Sequence, residues 1–181
     1  MSTMKVLICQ EIKNLVWEVR ERPVPGDNEA LIKIKTVGIC GTDIHAWAGN
    51  QPFFSYPRVL GHEICGEIIE SGKNIHNFNI GQQVAVIPYI SCQQCPACKS
   101  GRTNCCEKIS VIGVHQDGGF SEYLSVPVAN ILPADGIDPQ AAALIEPFAI
   151  SAHAVRRAAI APSEQVLVVG AGPIGLGAAA I

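Results

Sequence analysis

The chain has 181 residues, a formal net charge of −3 and 16% charged residues. It shows no basic excess, which argues against a nucleic-acid binder. The apolar run near the N-terminus is too short for a signal peptide. The apolar stretch 166–181 is interrupted by four glycines and a proline, which argues against a membrane span. We therefore expect a cytoplasmic protein, in a compartment where disulfides are rare.

The first two thirds of the sequence predicts short strands separated by turn residues. A hairpin turn is predicted at 10–14, a proline-rich loop at 23–28, and residues 30–37 show the alternation of a half-buried strand. The predicted strands are 5–9, 15–19, 30–37, 65–70, 83–88 and 120–126. Several short strands at this spacing predict a barrel or rolled sheet.

From Asp138 onward the pattern becomes helical. Residues 139–145 are helix-forming, and we expect Pro147 to interrupt that run. A second helix is predicted over 148–159, with arginines near its end, where cations suit the helix dipole. A strand at 165–169 then runs into glycines. We place a domain boundary near residue 145.

Residues of the types that bind metals lie in two glycine-rich turns, with Cys40 in the first and His62 and Glu63 in the second. Cys40 and His62 also have structural explanations: Cys40 as a small buried hydrophobe, and His62 as a hydrogen-bonded loop histidine. Glu146 fits a helix-end cap, but a carboxylate inside the apolar run 143–150 needs a partner. A cation bound by Cys40 and His62 would be such a partner.

Five of the eight cysteines lie within residues 92–106. Cys92, Cys95 and Cys98 precede the vicinal pair Cys105 and Cys106. Four thiolates at such spacing form a closed zinc site, which is a structural arrangement. The alternatives are an iron–sulfur cluster, whose usual run ends differently, and buried or disulfide-bonded cysteines. Spacing does not choose between Cys105 and Cys106 as the fourth ligand.

The segment 166–175 is an apolar strand followed by G-x-G-x-x-G and a helix-compatible run. Such glycines let the backbone approach a pyrophosphate at a helix N-terminus. The segment therefore predicts a dinucleotide site, with a purely structural strand–turn–helix as the alternative. The residues that would contact the cofactor are Gly170, Gly172, Pro173, Ile174 and Gly175.

Together, the motifs at Cys40–Asp43, Gly61–Glu63, Cys92–Cys106 and Gly170–Gly175 resemble the zinc-dependent medium-chain dehydrogenase/reductase family. That family includes alcohol, sorbitol and threonine dehydrogenases. The resemblance implies a mostly β GroES-like catalytic domain over 1–145. It also implies that 146–181 are a linking helix and the first strand–turn–helix of an incomplete α/β Rossmann domain.

The resemblance also implies residue roles and two zinc ions per chain. Cys106 would be the fourth ligand of the structural zinc, and Cys105 a spare. The catalytic zinc would be held by Cys40 and His62, with Glu63 and Glu146 ligating directly or through water. Classical alcohol dehydrogenases have a cysteine in place of Glu146, and this departure matches the sorbitol dehydrogenase side of the family. Thr42 would relay the substrate proton, and His45 would continue the relay.

The implied activity is hydride transfer to NAD(P), with NAD favoured, from a secondary alcohol of a sugar acid. The alternatives are another polyol or threonine dehydrogenase of the family, or a zinc-binding module that is inactive as these 181 residues. The expected partner is a small-molecule substrate, without nucleic acid or membrane, and the expected assembly is a homodimer or homotetramer.

Overall fold

The computed structural model describes residues 2–181, most of which form short strands and connecting turns. The strands are β1 (Thr3–Glu11), β2 (Asn14–Glu21), β3 (Glu29–Gly38), β4 (Arg58–Val59), β5 (Glu63–Ser71), β6 (Gln83–Val86), β7 (Tyr89–Ile90), β8 (Ser110–Val111), β9 (Tyr123–Pro127) and β10 (Ile131–Pro133). The helices are α1 (Gly41–Ala48), α2 (Pro96–Lys99), α3 (Pro139–Ala143), α4 (Ile145–Ala158) and α5 (Pro173–Ala180). Every predicted strand before residue 130 has a counterpart, although the last begins at Tyr123 rather than Phe120.

The strands form three antiparallel sheets. A five-stranded sheet has the order β10-β6-β5-β3-β9, a three-stranded sheet has the order β2-β1-β4, and β7 pairs with β8. The first two sheets are joined by backbone bonds from Leu7 N to Phe120 O (2.8 Å) and from Glu122 N to Lys5 O (3.1 Å). These bonds connect the two sheets into one rolled sheet, which confirms the prediction.

The main core lies on the inner face of the five-stranded sheet. Ile32, Ile64, Ile68, Val84 and Val126 are almost fully buried there. Burying each such side chain contributes roughly 1.5–3 kcal/mol. The core forms because alternate strand residues share one face, so the apolar members of each strand point inward together.

The helical region corrects one prediction about Pro147. The break in the helix falls at Leu144, between α3 and α4, and Pro147 is the third residue of α4. A proline is tolerated at this position because the first N–H groups of a helix have no intrahelical acceptor. The N-terminus of α3 is capped by Asp138, whose carboxylate accepts from Gln140 N and Ala141 N.

A second correction concerns the strand predicted over 165–169. Those residues are not in a strand, and Leu167 and Val169 are 85% and 90% exposed. A β-strand needs a neighbour to complete its ladder of hydrogen bonds, and no strand among residues 2–181 pairs with this segment. The domain boundary near residue 145 stays a prediction. No helix among residues 2–181 is long and apolar enough to cross a membrane.

Candidate metal centres and glycine-rich turn

The first candidate centre is formed by Cys40, His62 and Glu63, whose potential ligand atoms lie within 4.8 Å of one another. Cys40 follows β3, and His62 precedes β5. The two strands pair with Gly38 opposite Glu63, and this register brings the motifs together. A side chain at position 38 would clash with the Glu63 carboxylate, since a Cβ there would be 2.0 Å from Oε2. Glycine therefore leaves the space that the carboxylate occupies.

The electrostatics of this cluster favour a cation. His62 is buried, and its Nδ1 has no hydrogen-bond partner. Burial lowers the pKa of His62, but the hydrogen bond with Cys40 and the charges of Asp43, Cys40 and Glu146 outweigh it and raise the pKa to about 9. The pKa of Glu63 is also raised, chiefly by burial. A thiolate, an imidazole and a carboxylate that share a buried space are a donor set that fits zinc.

Asp43 connects the two halves of this cluster, a role that the sequence did not reveal. Its buried carboxylate accepts from Cys40 N (2.8 Å) through Oδ2 and from Gly61 N (3.0 Å) through Oδ1. Oδ1 also lies 3.7 Å from His62 Nδ1. Asp43 belongs to the first turn of α1, which was expected to be a turn rather than a helix. The signal for it is an acidic residue three positions after the helix cap.

Glu146 lies outside the group of three but close to it. Its charge raises the pKa of both His62 and Glu63. Its Oε1 accepts a hydrogen bond from the Tyr89 hydroxyl at 2.6 Å. Burial and Glu146 together raise the pKa of Tyr89. The structure thus places Glu146 beside the cluster, and its ligation stays a prediction.

Thr42 and His45 both lie on α1, three residues apart. The Thr42 hydroxyl is half-buried and is 3.7 Å from the Cys40 sulfur. His45 is exposed. Residues three apart lie on one face of a helix, so the two side chains share a face of α1, and the relay stays a prediction.

The second candidate centre contains Cys92, Cys95, Cys98 and Cys106, whose sulfurs lie within 4.8 Å of one another. Sγ of Cys98 is 3.5 Å from that of Cys95 and 4.0 Å from that of Cys92. Four sulfurs about 2.3 Å from a tetrahedral zinc are about 3.8 Å apart, so the spacing fits the ion. Cys105 is exposed and outside the group, and the cysteines of residues 2–181 are free thiols.

Backbone amides surround these sulfurs. Cys92 N and Lys108 N each donate to Cys106 Sγ at 3.3 Å, and Cys95 N donates to Cys92 Sγ at 3.4 Å. Backbone N–H groups of Gln94 and Cys95 lower the pKa of Cys92 to about 6. Burial raises the pKa of Cys98 to about 12. Such N–H···S bonds stabilise thiolates, which are the metal-binding form of cysteine.

The glycine-rich turn has the features that close backbone approach requires. Gly170 has a φ of 109°, which favours glycine. A Cβ on Gly175 would lie 1.9 Å from Gly170 O, so only glycine lets α5 start so near the turn. A Cβ on Gly172 would meet nothing within 4 Å. Gly172 caps α5, and Pro173 is its first residue. The side of Gly172 is thus open, and cofactor binding at this turn stays a prediction.

A groove of about 630 Å³ runs along α1. Its lining includes Trp17, Ile44 and Trp47, and also Asp43, which bonds to both loops of the first candidate centre. The groove therefore adjoins that centre, although Cys40, His62 and Glu63 are not among the residues that line it.

Comparison with known proteins agrees with this geometry. The family model for the alcohol dehydrogenase GroES-like domain matches residues 26–136. The chain is 88% identical to L-galactonate-5-dehydrogenase of Escherichia coli K12, over all of this chain and 53% of that protein. The sequences of segments 49–67 and 105–157 already resemble this enzyme, and the match extends to all 181 residues. The chain is also 38% identical to L-threonine 3-dehydrogenase of Shewanella sp. W3-18-1, over 98% of the chain and 53% of that protein.

Among solved structures, the chain is similar to the RspB alcohol dehydrogenase of Escherichia coli CFT073 in complex with NADH. The TM-score is 0.92 at 40% identity, over 98% of this chain and 52% of that one. The chain thus spans about half the length of the relatives that it matches. The chain belongs to the zinc-type alcohol dehydrogenase family and carries the GroES-like domain of that family.

Proposed function

We propose that this chain is the zinc-binding catalytic part of an NAD-dependent dehydrogenase that oxidises L-galactonate, a sugar acid, at C5. The observation that carries the proposal is the 88% identity to L-galactonate-5-dehydrogenase across all 181 residues. The cluster of Cys40, His62 and Glu63 supports the class of reaction. The substrate is a small molecule, and the assembly proposed for the whole enzyme is a homodimer or homotetramer.

Two zinc ions are proposed for each chain. Cys92, Cys95, Cys98 and Cys106 would hold a structural ion, because four thiolates leave no open position. Cys40, His62 and a carboxylate from Glu63 or Glu146 would hold the catalytic ion. When bound, that zinc would supply Lewis acidity that lowers the pKa of the substrate hydroxyl. Asp43 keeps Cys40 and His62 in place through its bonds to the two loops.

The proton of the substrate hydroxyl is proposed to leave through α1. The Thr42 hydroxyl can accept that proton and donate its own, because it lies at the edge of the Cys40 site and is half-buried. His45, exposed one helical turn further on, can pass the proton to solvent.

The hydride acceptor is proposed to be NAD, bound at Gly170–Gly175. The support is the open face at Gly172 and the solved RspB relative, which contains NADH. NAD would supply the oxidising power, and the glycine turn would hold the pyrophosphate through the N–H groups at the start of α5.

The main test measures the absorbance of reduced nicotinamide. The chain is joined to the second half of the Escherichia coli L-galactonate-5-dehydrogenase and assayed with NAD and L-galactonate, sorbitol or L-threonine. We expect a specificity constant for L-galactonate within about tenfold of the parent enzyme and far above the other two. Cys40→Ser should abolish turnover while the four-cysteine ion is retained. Turnover that survives Cys40→Ser would contradict the zinc assignment, and activity only with another alcohol would contradict the substrate.

A further inference from the structure

A tyrosine hydroxyl reaches the carboxylate beside the first candidate centre. Tyr89 is the first residue of β7, and Glu146 lies in the first turn of α4. The 2.6 Å bond from Tyr89 Oη to Glu146 Oε1 joins two elements that are 57 residues apart in sequence. Tyr89 is 37% exposed, and Glu146 is 9% exposed. The carboxylate is therefore buried, and one of its two oxygens is already occupied.

The backbone that carries Tyr89 is itself fixed. The buried Asn130 donates from Nδ2 to the carbonyl oxygens of Ile87 (2.8 Å) and Tyr89 (3.1 Å). Ile87 N in turn donates to Asn130 O at 2.8 Å. Asn130 thus clamps the segment 87–89, which precedes the four-cysteine centre. Because this backbone is clamped, the tyrosine ring projects from a fixed point, and its hydroxyl is a defined anchor for Glu146.

We propose that Tyr89 is a positioning residue that holds Oε1 of Glu146 and leaves Oε2 as the single oxygen offered to a metal at Cys40, His62 and Glu63. This inference rests on the proposed function, because it takes that cluster to be a zinc site. A carboxylate with two free oxygens can bind an ion in a bidentate manner or rotate away. The hydrogen bond from Tyr89 opposes rotation of the side chain and favours ligation through Oε2 alone, so the carboxylate is oriented before the ion arrives.

The test uses Tyr89→Phe, which deletes only the hydroxyl, in the 181-residue chain. Zinc affinity at the first candidate centre is measured by competition with a chromophoric chelator, starting from chain that already holds one zinc at the four cysteines. Co²⁺ replaces Zn²⁺ at the first candidate centre in a parallel sample, where its visible spectrum reports the coordination. Tyr123→Phe is the matched control, because Tyr123 lies on β9 with its ring 4.9 Å from the Arg22 guanidinium, away from Glu146.

We expect Tyr89→Phe to weaken zinc binding at the first candidate centre about tenfold or more, with an altered cobalt spectrum. Tyr123→Phe should change neither. In a Glu146→Ala background, Tyr89→Phe should have no further effect, because the tyrosine acts through that carboxylate. This last readout distinguishes positioning from a general structural role.

Several results would overturn the inference. A wild-type chain that binds two zinc ions, with an unchanged affinity and spectrum in Tyr89→Phe, would overturn the role of Tyr89 and leave the proposed function standing. The same conclusion would follow if Tyr89→Phe weakened binding equally in the Glu146→Ala background, or if it lost the four-cysteine ion. A wild-type chain that binds only the four-cysteine ion would overturn this inference and the proposed zinc chemistry together.

Discussion

Replacing Asp43 by alanine tests whether this carboxylate holds the first candidate centre together. The change leaves the N–H groups of Cys40 and Gly61 without their acceptor. An unsatisfied buried donor costs about 1–3 kcal/mol, so the two together should lower the free energy of unfolding by about 4 kcal/mol. That is a large fraction of the roughly 5–15 kcal/mol that stabilises a typical domain.

Asp138→Ala is the matched control. Asp138 also accepts from two backbone amides, Gln140 N and Ala141 N, but it is exposed at the start of α3. Water can replace it there, and the loss of such a cap costs about 1 kcal/mol. The two variants therefore remove the same kind of bond, one at a buried position and one at an exposed position. We expect their free energies of unfolding to differ by about 3 kcal/mol.

The assay is urea unfolding of the zinc-loaded chain, followed by the fluorescence of Trp17 and Trp47, the second of which lies on the same helix as Asp43. Should Asp43→Ala fail to fold, Asp43→Asn provides the measurement, because its single amide oxygen retains one of the two bonds, at a cost of about 2 kcal/mol. The reasoning is refuted if Asp43→Ala is no less stable than Asp138→Ala. Zinc content adds a readout, since Asp43→Ala should weaken zinc binding at the first candidate centre and leave the four-cysteine ion in place.

Three further predictions concern the other sites. Cys106→Ser should lose the four-cysteine zinc on dialysis, whereas Cys105→Ser should keep it, and atomic absorption measures the zinc content of each. Equal loss from both variants would contradict the assignment of Cys106 as the fourth ligand. In the metal-free chain, His62 has a raised pKa of about 9, so its stabilising contribution is complete below about pH 6.5. That contribution should be lost as pH rises towards 9, and urea midpoints of wild type and His62→Ala should converge over this range. Gly175→Ala should disrupt the glycine turn by its clash with a turn carbonyl, seen as lost stability. Gly172→Ala should fold normally but lower NAD affinity in the joined enzyme, and unchanged affinity would argue against a pyrophosphate there.

Local patterns in the sequence were sufficient for much of the fold. Strand alternation in β3 and the short gaps between cysteines depend on residues that are neighbours along the chain. The hairpin between β1 and β2 is also local: Glu11 pairs with Asn14 around a two-residue turn, within the range predicted. The spacing of Cys92, Cys95 and Cys98 could indicate a metal site for the same reason, since a short loop brings such residues together.

Tertiary structure decided what local patterns could not. The sequence named Cys40 and His62, but only the register of β3 against β5 brought them together. Helix α1 was missed, and one of the bonds that hold it in place, from Gly61 N to Asp43, joins residues far apart in the sequence. The contact of Tyr89 with Glu146 had no signal in the sequence.

The segment 165–169 is a further case in which the local sequence pattern was not sufficient. Its composition predicts a strand, yet it forms none among the described residues, because a strand is stabilised by hydrogen bonds to another strand. The sequence by itself determined which residues prefer strands, turns and metal ions. The tertiary structure decided which of those preferences were satisfied, because the bonds that satisfy them join residues far apart in the chain.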